Sequence, residues 1–308
     1  MYVWETIDDL PANWRRGAIA LGMFDGLHVG HQRVIRRAVT LASAQGIPAL
    51  ALTFRNHPLS VIAPERTPLY LEAPEERREI MERLGVGGLV ELSFTADLAR
   101  MTALSFLKWL TEKAAPAFLI VGSNYSFGDG GRGDGDYLRA QEACFGYRTE
   151  VCSLVTVDGE AVSSTTIRSL LLQGELAKVN RFLGRSFSVS GVVRHGEARG
   201  RKLGFPTANI ALSPERAMLT NGAYAVRVRF DGRDRFGIAS IGCHPTFGGE
   251  ERQLEIHLLD FAGDLYEVRM TVQFIARLRE EKKFPSAQAL QRQLCTDEAA
   301  ARKIFHLQ

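Results

Sequence analysis

The hydrophobic period of this chain changes once, around Leu183-Gly184-Arg185-Ser186, and that change restricts its fold more than any other feature. Upstream, short apolar runs at 19–24, 49–54, 90–92 and 117–121 alternate with helical patterns at 28–45, 75–84 and 104–113. Gly46 and Gly85 follow two of these helices, where a glycine stop is usual. Strands that alternate with helices argue for a parallel sheet joined by crossover helices. Downstream, runs at 187–193, 224–230, 236–241, 254–259 and 268–274 are separated by Gly, Asp and Pro, the pattern of an antiparallel barrel or sandwich. One or two helices at 286–305 close the chain. At 308 residues the sequence exceeds what a single core usually holds, so two domains are expected, at 1–184 and 185–308.

Hydrophobic residues make up 45% and charged residues 24%, as in a soluble globular protein. The start carries Glu5, Asp8 and Asp9 and lacks the basic and apolar regions of a secretory signal. No apolar run approaches the length that crosses a bilayer. Cys144, Cys152, Cys243 and Cys295 form no C-x-x-C pair, so they are expected to be reduced thiols of a cytoplasmic protein, without a zinc site. A net charge of +3 does not by itself imply a nucleic-acid partner. The segment 122–135 holds six glycines and is expected to be a mobile loop.

Residues 22–31 read Gly-Met-Phe-Asp-Gly-Leu-His-Val-Gly-His, at the point where the first upstream strand turns into a helix. A helix N-terminus offers free N–H groups and the positive end of the peptide dipoles, a ready phosphate site. His28 and His31 are three apart, so they share one helix face and can touch one triphosphate together. Gly26 and Gly30 allow a close approach. The bland alternative is a pair of capping histidines. Asn56-His57-Pro58 follows the second strand, where open α/β sheets place ligands, although Pro58 alone would explain a turn there. Ser163-Ser164-Thr165-Thr166-Ile167-Arg168 precedes an apolar helix, and hydroxyls beside a guanidinium suit the distal phosphates of ATP better than capping requires.

The downstream half has a second glycine-rich and basic segment, 196–209. It ends in Pro206-Thr207-Ala208-Asn209, read as a turn after an anion cradle, and Thr207 and Asn209 offer hard oxygen ligands for Mg²⁺. In Leu254-Glu255-Ile256-His257-Leu258-Leu259, alternation puts Glu255 and His257 on the face opposite the leucines. A solvated strand face accounts for that pattern. A carboxylate facing a pocket could instead deprotonate an alcohol.

The ordered set of these segments resembles the bacterial bifunctional riboflavin kinase/FAD synthetases, nearly end to end. Gly22–His31, 53–58, 121–134, 163–168 and 196–209 carry the likeness, with Gly222-Ala223-Tyr224-Ala225, Pro245-Thr246-Phe247-Gly248, 255–261 and Leu278-Arg279-Glu280-Glu281. The resemblance implies a Rossmann-like α/β nucleotidyltransferase domain followed by an antiparallel six-stranded β-barrel riboflavin kinase with a C-terminal helix. It implies that ATP phosphorylates riboflavin to FMN, and that a second ATP adenylylates FMN to FAD and pyrophosphate. By this likeness Gly22, Phe24, Asp25, Gly26, His28, Gly30, His31, Asn56, Ser164 and Arg168 bind the adenylylating ATP, with His28 and His31 catalytic. Gly196, Gly200, Arg201, Gly204, Pro206, Thr207 and Asn209 would bind the kinase ATP, Thr207 and Asn209 holding Mg²⁺, and Glu255 would be the base. Asn124, Phe127, Arg279 and Glu281 would contact flavin. The implied partners are small molecules only, with no nucleic acid or membrane, in a monomer or weak homo-oligomer.

The chain departs from the family's pattern in places. It has Asn124-Tyr125-Ser126-Phe127-Gly128 where an acid, an aromatic, a basic residue and Phe-Gly are usual. Gly131 replaces basic character, His244 replaces an Asn, and Glu267 replaces a Gly. These changes raise the alternative of a kinase with a weakened or inactive adenylyltransferase half. The basic stretch 194–202 raises a second, an RNA-binding or flavin-sensing regulator, whose RNA affinity would fall steeply with salt.

Overall fold

All the upstream apolar runs lie in one six-stranded parallel sheet. Its strands are β1 (Tyr2–Trp4), β2 (Ala18–Leu21), β3 (Ala49–Phe54), β4 (Gly88–Leu92), β5 (Phe118–Gly122) and β6 (Arg148–Cys152), in the order β1-β4-β3-β2-β5-β6. The computed structural model describes residues 1–195, 204–246 and 249–307. Central strands are buried on both faces, as parallel sheets require. Ile19, Leu21, Leu50, Leu52, Leu119 and Val121 pack on α3 (Ala103–Ala114). Ala18, Ala20, Ala51, Leu89 and Ile120 face α1 (Val29–Gln45) and α2 (Pro74–Arg83). The order reverses at β2, where β3 and β4 extend to one side and β5 and β6 to the other. Ligands bind at such a switch point, beyond the carboxyl ends of the strands.

The downstream half is a closed antiparallel barrel. Its strands are β7 (Ser188–Arg194), β8 (Ala208–Ala211), β9 (Gly222–Phe230), β10 (Arg233–Thr246), β11 (Gly249–Leu258) and β12 (Arg269–Glu280), arranged β8-β11-β10-β9-β12-β7. The interior takes alternate residues such as Val193, Ile210, Val226, Leu254, Ile256 and Val272. Small residues on the outside, Ala223 and Ala225, leave room for the last helix, which brings Ala301 and Phe305 onto the barrel. Before the barrel come α4 (Ser164–Gln173) and α5 (Leu176–Leu183), and after it α6 (Ala287–Phe305).

By contact the chain divides into two compact units, Met1–Tyr70 with Pro74–Ser164, and Leu71–Ala73 with Thr165–Gln308. Helix α5 belongs to the second because the Asn180 side chain accepts from Phe187 N (2.7 Å) and donates to Phe274 O (3.1 Å).

Several local expectations change. Strand β2 ends at Leu21 and not at residue 24, because Phe24 takes a left-handed backbone (φ 52°) and the chain turns. Ser164–Arg168 form the first turns of α4 and do not precede it. Asn209 lies in a strand, β8, where a turn was expected; four residues after a proline carry too little alternation to reveal one. Strands β1 and β6 went undetected because each is a sheet edge with polar or exposed positions. The glycine-rich segment closes on itself through paired Phe127 and Gly133 backbone bonds, with Gly128, Gly130 and Gly131 at positive φ.

Candidate active sites

The first site is built on the turn between β2 and α1. His28 is the N-cap of α1, and its Nδ1 accepts from His31 N–H at 3.3 Å. The two imidazoles stack with centroids 3.6 Å apart. Capping and a shared cavity-lining position are therefore one arrangement, since the cap uses Nδ1 and fixes the ring beside its neighbour. Gly30 makes room for that ring: a Cβ there would sit 3.1 Å from the His28 ring. Phe24 is buried and packs edge-on to His31, and a side chain at Gly22 would meet its ring at 2.8 Å. Left-handed Phe24 and Leu27 are strained positions. They persist because three side chains hold successive alternate carbonyls of the turn: Thr53 Oγ1 donates to Met23 O, Ser164 Oγ to Asp25 O and Gln32 Nε2 to Leu27 O, all within 2.8 Å. Sequence patterns offer no sign of Thr53 or Gln32, because each acts through a backbone partner elsewhere in the fold.

A cavity of about 730 Å³ opens at this point, within the usual range for a ligand site. Gly22, Phe24, His28, Gly30 and His31 line it together with Asn124, Phe127 and an apolar wall of Phe54, Pro58, Ile62, Phe94 and Leu98. Burial pushes the Tyr125 phenol and the Cys152 thiol above their ordinary values, so neither wall residue supplies an anion at neutral pH. Asp25, Gly26, Asn56, Ser164 and Arg168 are not lining residues. Asn56 instead ties down Phe94: its Nδ2 donates to Phe94 O (3.0 Å) and its Oδ1 accepts from Phe94 N (2.8 Å). Arg168 is in the second turn of α4, in the second unit.

The second site lies on the barrel's outer face. Asn209 is directly opposite Glu255 in the β8–β11 pair, and Arg194 is opposite Asn209 on the other side. Ser240 stands beyond Glu255. Antiparallel partners point to the same face, with Cβ atoms about 5 Å apart. Leu254 and Ile256 are buried inside, so Glu255 and His257 face outward as their alternation predicts. His257 Nδ1 donates to Pro206 O at 2.9 Å, and its ring meets Phe205, which orients the approach to half-buried Thr207. Asn209 Oδ1 is buried with no hydrogen-bond partner among the described residues, and such an oxygen suits a hard cation. Gly204 has φ +85°. Gly196, Gly200 and Arg201 lie outside the described residues, as do Phe247 and Gly248.

Two expected flavin contacts have other partners. Arg279 Nε donates to both oxygens of buried Asp297 (3.1 and 2.9 Å), anchoring α6 to β12. Glu281 accepts from Asn221 Nδ2 at 2.8 Å, and its other oxygen packs where a Cβ on Gly242 would stand. Phe230, Phe261, Leu265 and Val268 line a groove of about 320 Å³ together with Asp231, Arg233 and Asp264, with the Arg235 guanidinium over both rings.

A parallel sheet with two stacked histidines at a helix start by its switch point, and a barrel that sets a carboxylate opposite an amide, are the two modules of a nucleotide-dependent transferase. Family models agree: residues 10–166 match FAD synthetase and residues 183–305 match riboflavin kinase. A bifunctional riboflavin kinase/FMN adenylyltransferase from Pseudomonas fluorescens is 38% identical over 292 residues, covering 94% of this chain and 93% of its own. Its counterpart from Escherichia coli K12 is 34% identical over 293 residues, with 94% and 93% covered. A crystal structure described as a macrolide-efflux protein from Streptococcus pneumoniae matches with a TM-score of 0.89 and 30% identity, covering 97% of this chain and 98% of its own. Among the described residues, no helix is long and apolar enough to cross a membrane. The chain belongs to the bifunctional riboflavin kinase/FMN adenylyltransferase family.

Proposed function

We propose that this chain phosphorylates riboflavin to FMN on its barrel and adenylylates FMN to FAD on its α/β half, with the functional boundary at 184/185. The observation that supports the reading is a pair of separate side-chain groupings, stacked His28 and His31 at a helix start and the Asn209–Glu255 row on the barrel. In the kinase step, the ribityl 5′-oxygen bonds to the γ-phosphorus of ATP as the bond to the bridging oxygen of ADP breaks, and Glu255 takes the hydroxyl proton. In the adenylyl step, a phosphate oxygen of FMN bonds to the α-phosphorus of a second ATP and pyrophosphate leaves. That phosphate is already a nucleophile, so this half needs positioning and charge stabilisation more than a base. His28 and His31 donate to the phosphates, with Ser164 and Asn56 holding the turn and wall around them. Arg168 is assigned to the distal phosphates, and Asn124 and Phe127 to the flavin.

When bound, Mg²⁺ neutralises ATP phosphate charge. Thr207 and Asn209 would hold it, and the orphaned Asn209 oxygen fits that role. Gly204 and Pro206 are assigned to binding the kinase ATP, and the family likeness assigns Gly196, Gly200 and Arg201 to it as well. Arg279 and Glu281 are assigned to positioning. The enzyme is proposed to be cytoplasmic, a monomer or weak homo-oligomer, acting on small molecules without a nucleic-acid or membrane partner.

The test is a product profile from riboflavin, ATP and Mg²⁺, resolving FMN from FAD over time. FMN should appear first and FAD follow. Glu255→Gln should stop FMN formation and leave FAD formation from supplied FMN, and His31→Ala should do the reverse. Loss of both activities in either folded variant refutes the two-site division; a wild-type protein that makes FMN but no FAD supports the kinase-only alternative.

A further inference from the structure

Burial pushes the phenols of Tyr125, Tyr147 and Tyr224 above their ordinary value. Two of the three use the hydroxyl inside the protein: Tyr147 Oη donates to Leu138 O at 2.7 Å, and Tyr224 Oη to Thr220 O at 2.6 Å. Tyr125 Oη has no hydrogen-bond partner among the described residues, and it is not one of the side-chain oxygens sealed from solvent without a partner. A polar group drawn out of water and left unpaired costs free energy, so this one calls for a reason.

Its place in the fold supplies one. Tyr125 lines the cavity of the α/β half. It comes three residues after the end of β5, at the carboxyl end of the strand beside β2, and its N–H donates to Gly122 O at 3.1 Å, which turns the chain there. The Tyr125 ring stacks on Phe127 with centroids 5.7 Å apart and planes 22° from parallel. Phe127 packs in turn against Phe106 and Tyr137. The ring is therefore seated by its neighbours while the oxygen opens on the cavity.

Chemistry limits what such an oxygen binds. Held protonated by its surroundings, it donates a hydrogen bond and does not take up a proton. The 122–131 part of the wall offers neutral donors only, Ser123, Asn124 and Ser126 beside Tyr125, with Asp129 as its one acid. A phenol is a stronger donor than an aliphatic hydroxyl, and a bond to a charged oxygen is worth more than one to a neutral acceptor. FMN and ATP both bring phosphate oxygens, which accept and have nothing to donate. We propose that the Tyr125 hydroxyl is a substrate-binding group of the adenylyl-transfer site, donating to a phosphate oxygen of FMN or of ATP. This rests on the adenylyltransferase reading above.

The experiment compares full-length wild type with Tyr125→Phe, which keeps the ring in its seat and removes the donor. KM for FMN and KM for ATP are measured separately in FAD formation, with FMN formation from riboflavin as the control for the barrel and thermal melts as the control for packing. One of the two constants should rise about tenfold, the lower end of what a hydrogen bond to a charged group supplies, with kcat held because the bond is made before transfer as well as during it. The constant that rises identifies the phosphate. Melting should stay within about 2 °C of wild type, since the hydroxyl has no protein partner to lose. Two unchanged KM values overturn the proposal, as does a larger fall in melting temperature, which would assign the hydroxyl to the protein's own packing. Absence of FAD formation in wild type removes the adenylyltransferase reading and this inference with it, an outcome recognisable before the variant is made.

Discussion

Replacing Arg279 separates two views of that residue, a flavin contact or the anchor of the last helix. Its Nε makes two hydrogen bonds to Asp297, whose side chain is 4% exposed and also accepts from Gln293 Nε2 at 2.8 Å. Arg279→Met keeps the stem and removes the charge, leaving a buried carboxylate with a neutral donor. Breaking a buried pair this way costs roughly 3–5 kcal/mol; because Arg279 is 21% exposed and water reaches that side, the lower figure of about 3 kcal/mol is expected. For a unit of this size that corresponds to a fall in melting temperature of about 6–12 °C. Differential scanning calorimetry should show the fall in the transition of the barrel unit and leave the α/β transition in place. Arg279→Met combined with Asp297→Leu should recover most of the loss, since replacing both charges by apolar groups removes the orphaned ion. A single variant that melts within 1 °C of wild type while flavin affinity collapses would refute the anchor.

Two further outcomes follow from the α/β half. His28→Asn keeps an N-cap of equal quality, so unfolding should be unchanged while FAD formation falls; His28→Ala should lose about 1 kcal/mol of stability in addition, seen in thermal melts. Gly128→Ala places a Cβ 2.5 Å from Ala103 N at a φ of 74°, so it should destabilise by about 2–4 kcal/mol and reduce FAD formation, with FMN formation at the wild-type rate in assays below the first transition.

Much of the architecture was legible from residues alone, because periodicity is written by neighbours two to four apart. The change from helix–strand alternation to short spaced strands predicts both folds. The apolar run, glycines and histidines of 18–31 predict a ligand site at a strand-to-helix turn. Alternation at 254–259 puts Glu255 outside the barrel. Spacing could not tell whether His28 is a cap or lines a cavity; in the structure its ring caps the helix and also lines the cavity.

Tertiary structure decided which groups stand opposite one another. Asn209 meets Glu255, and Arg194 meets Asn209, only through barrel register. Ser164 reaches Asp25 across 139 residues, and Arg279 finds Asp297 where the likeness to known flavin enzymes assigned it to flavin. Asn56 faces Phe94 and not the cavity. Such pairings depend on strand order and register, which are set by the whole chain collapsing on its cores, so no local pattern carries them.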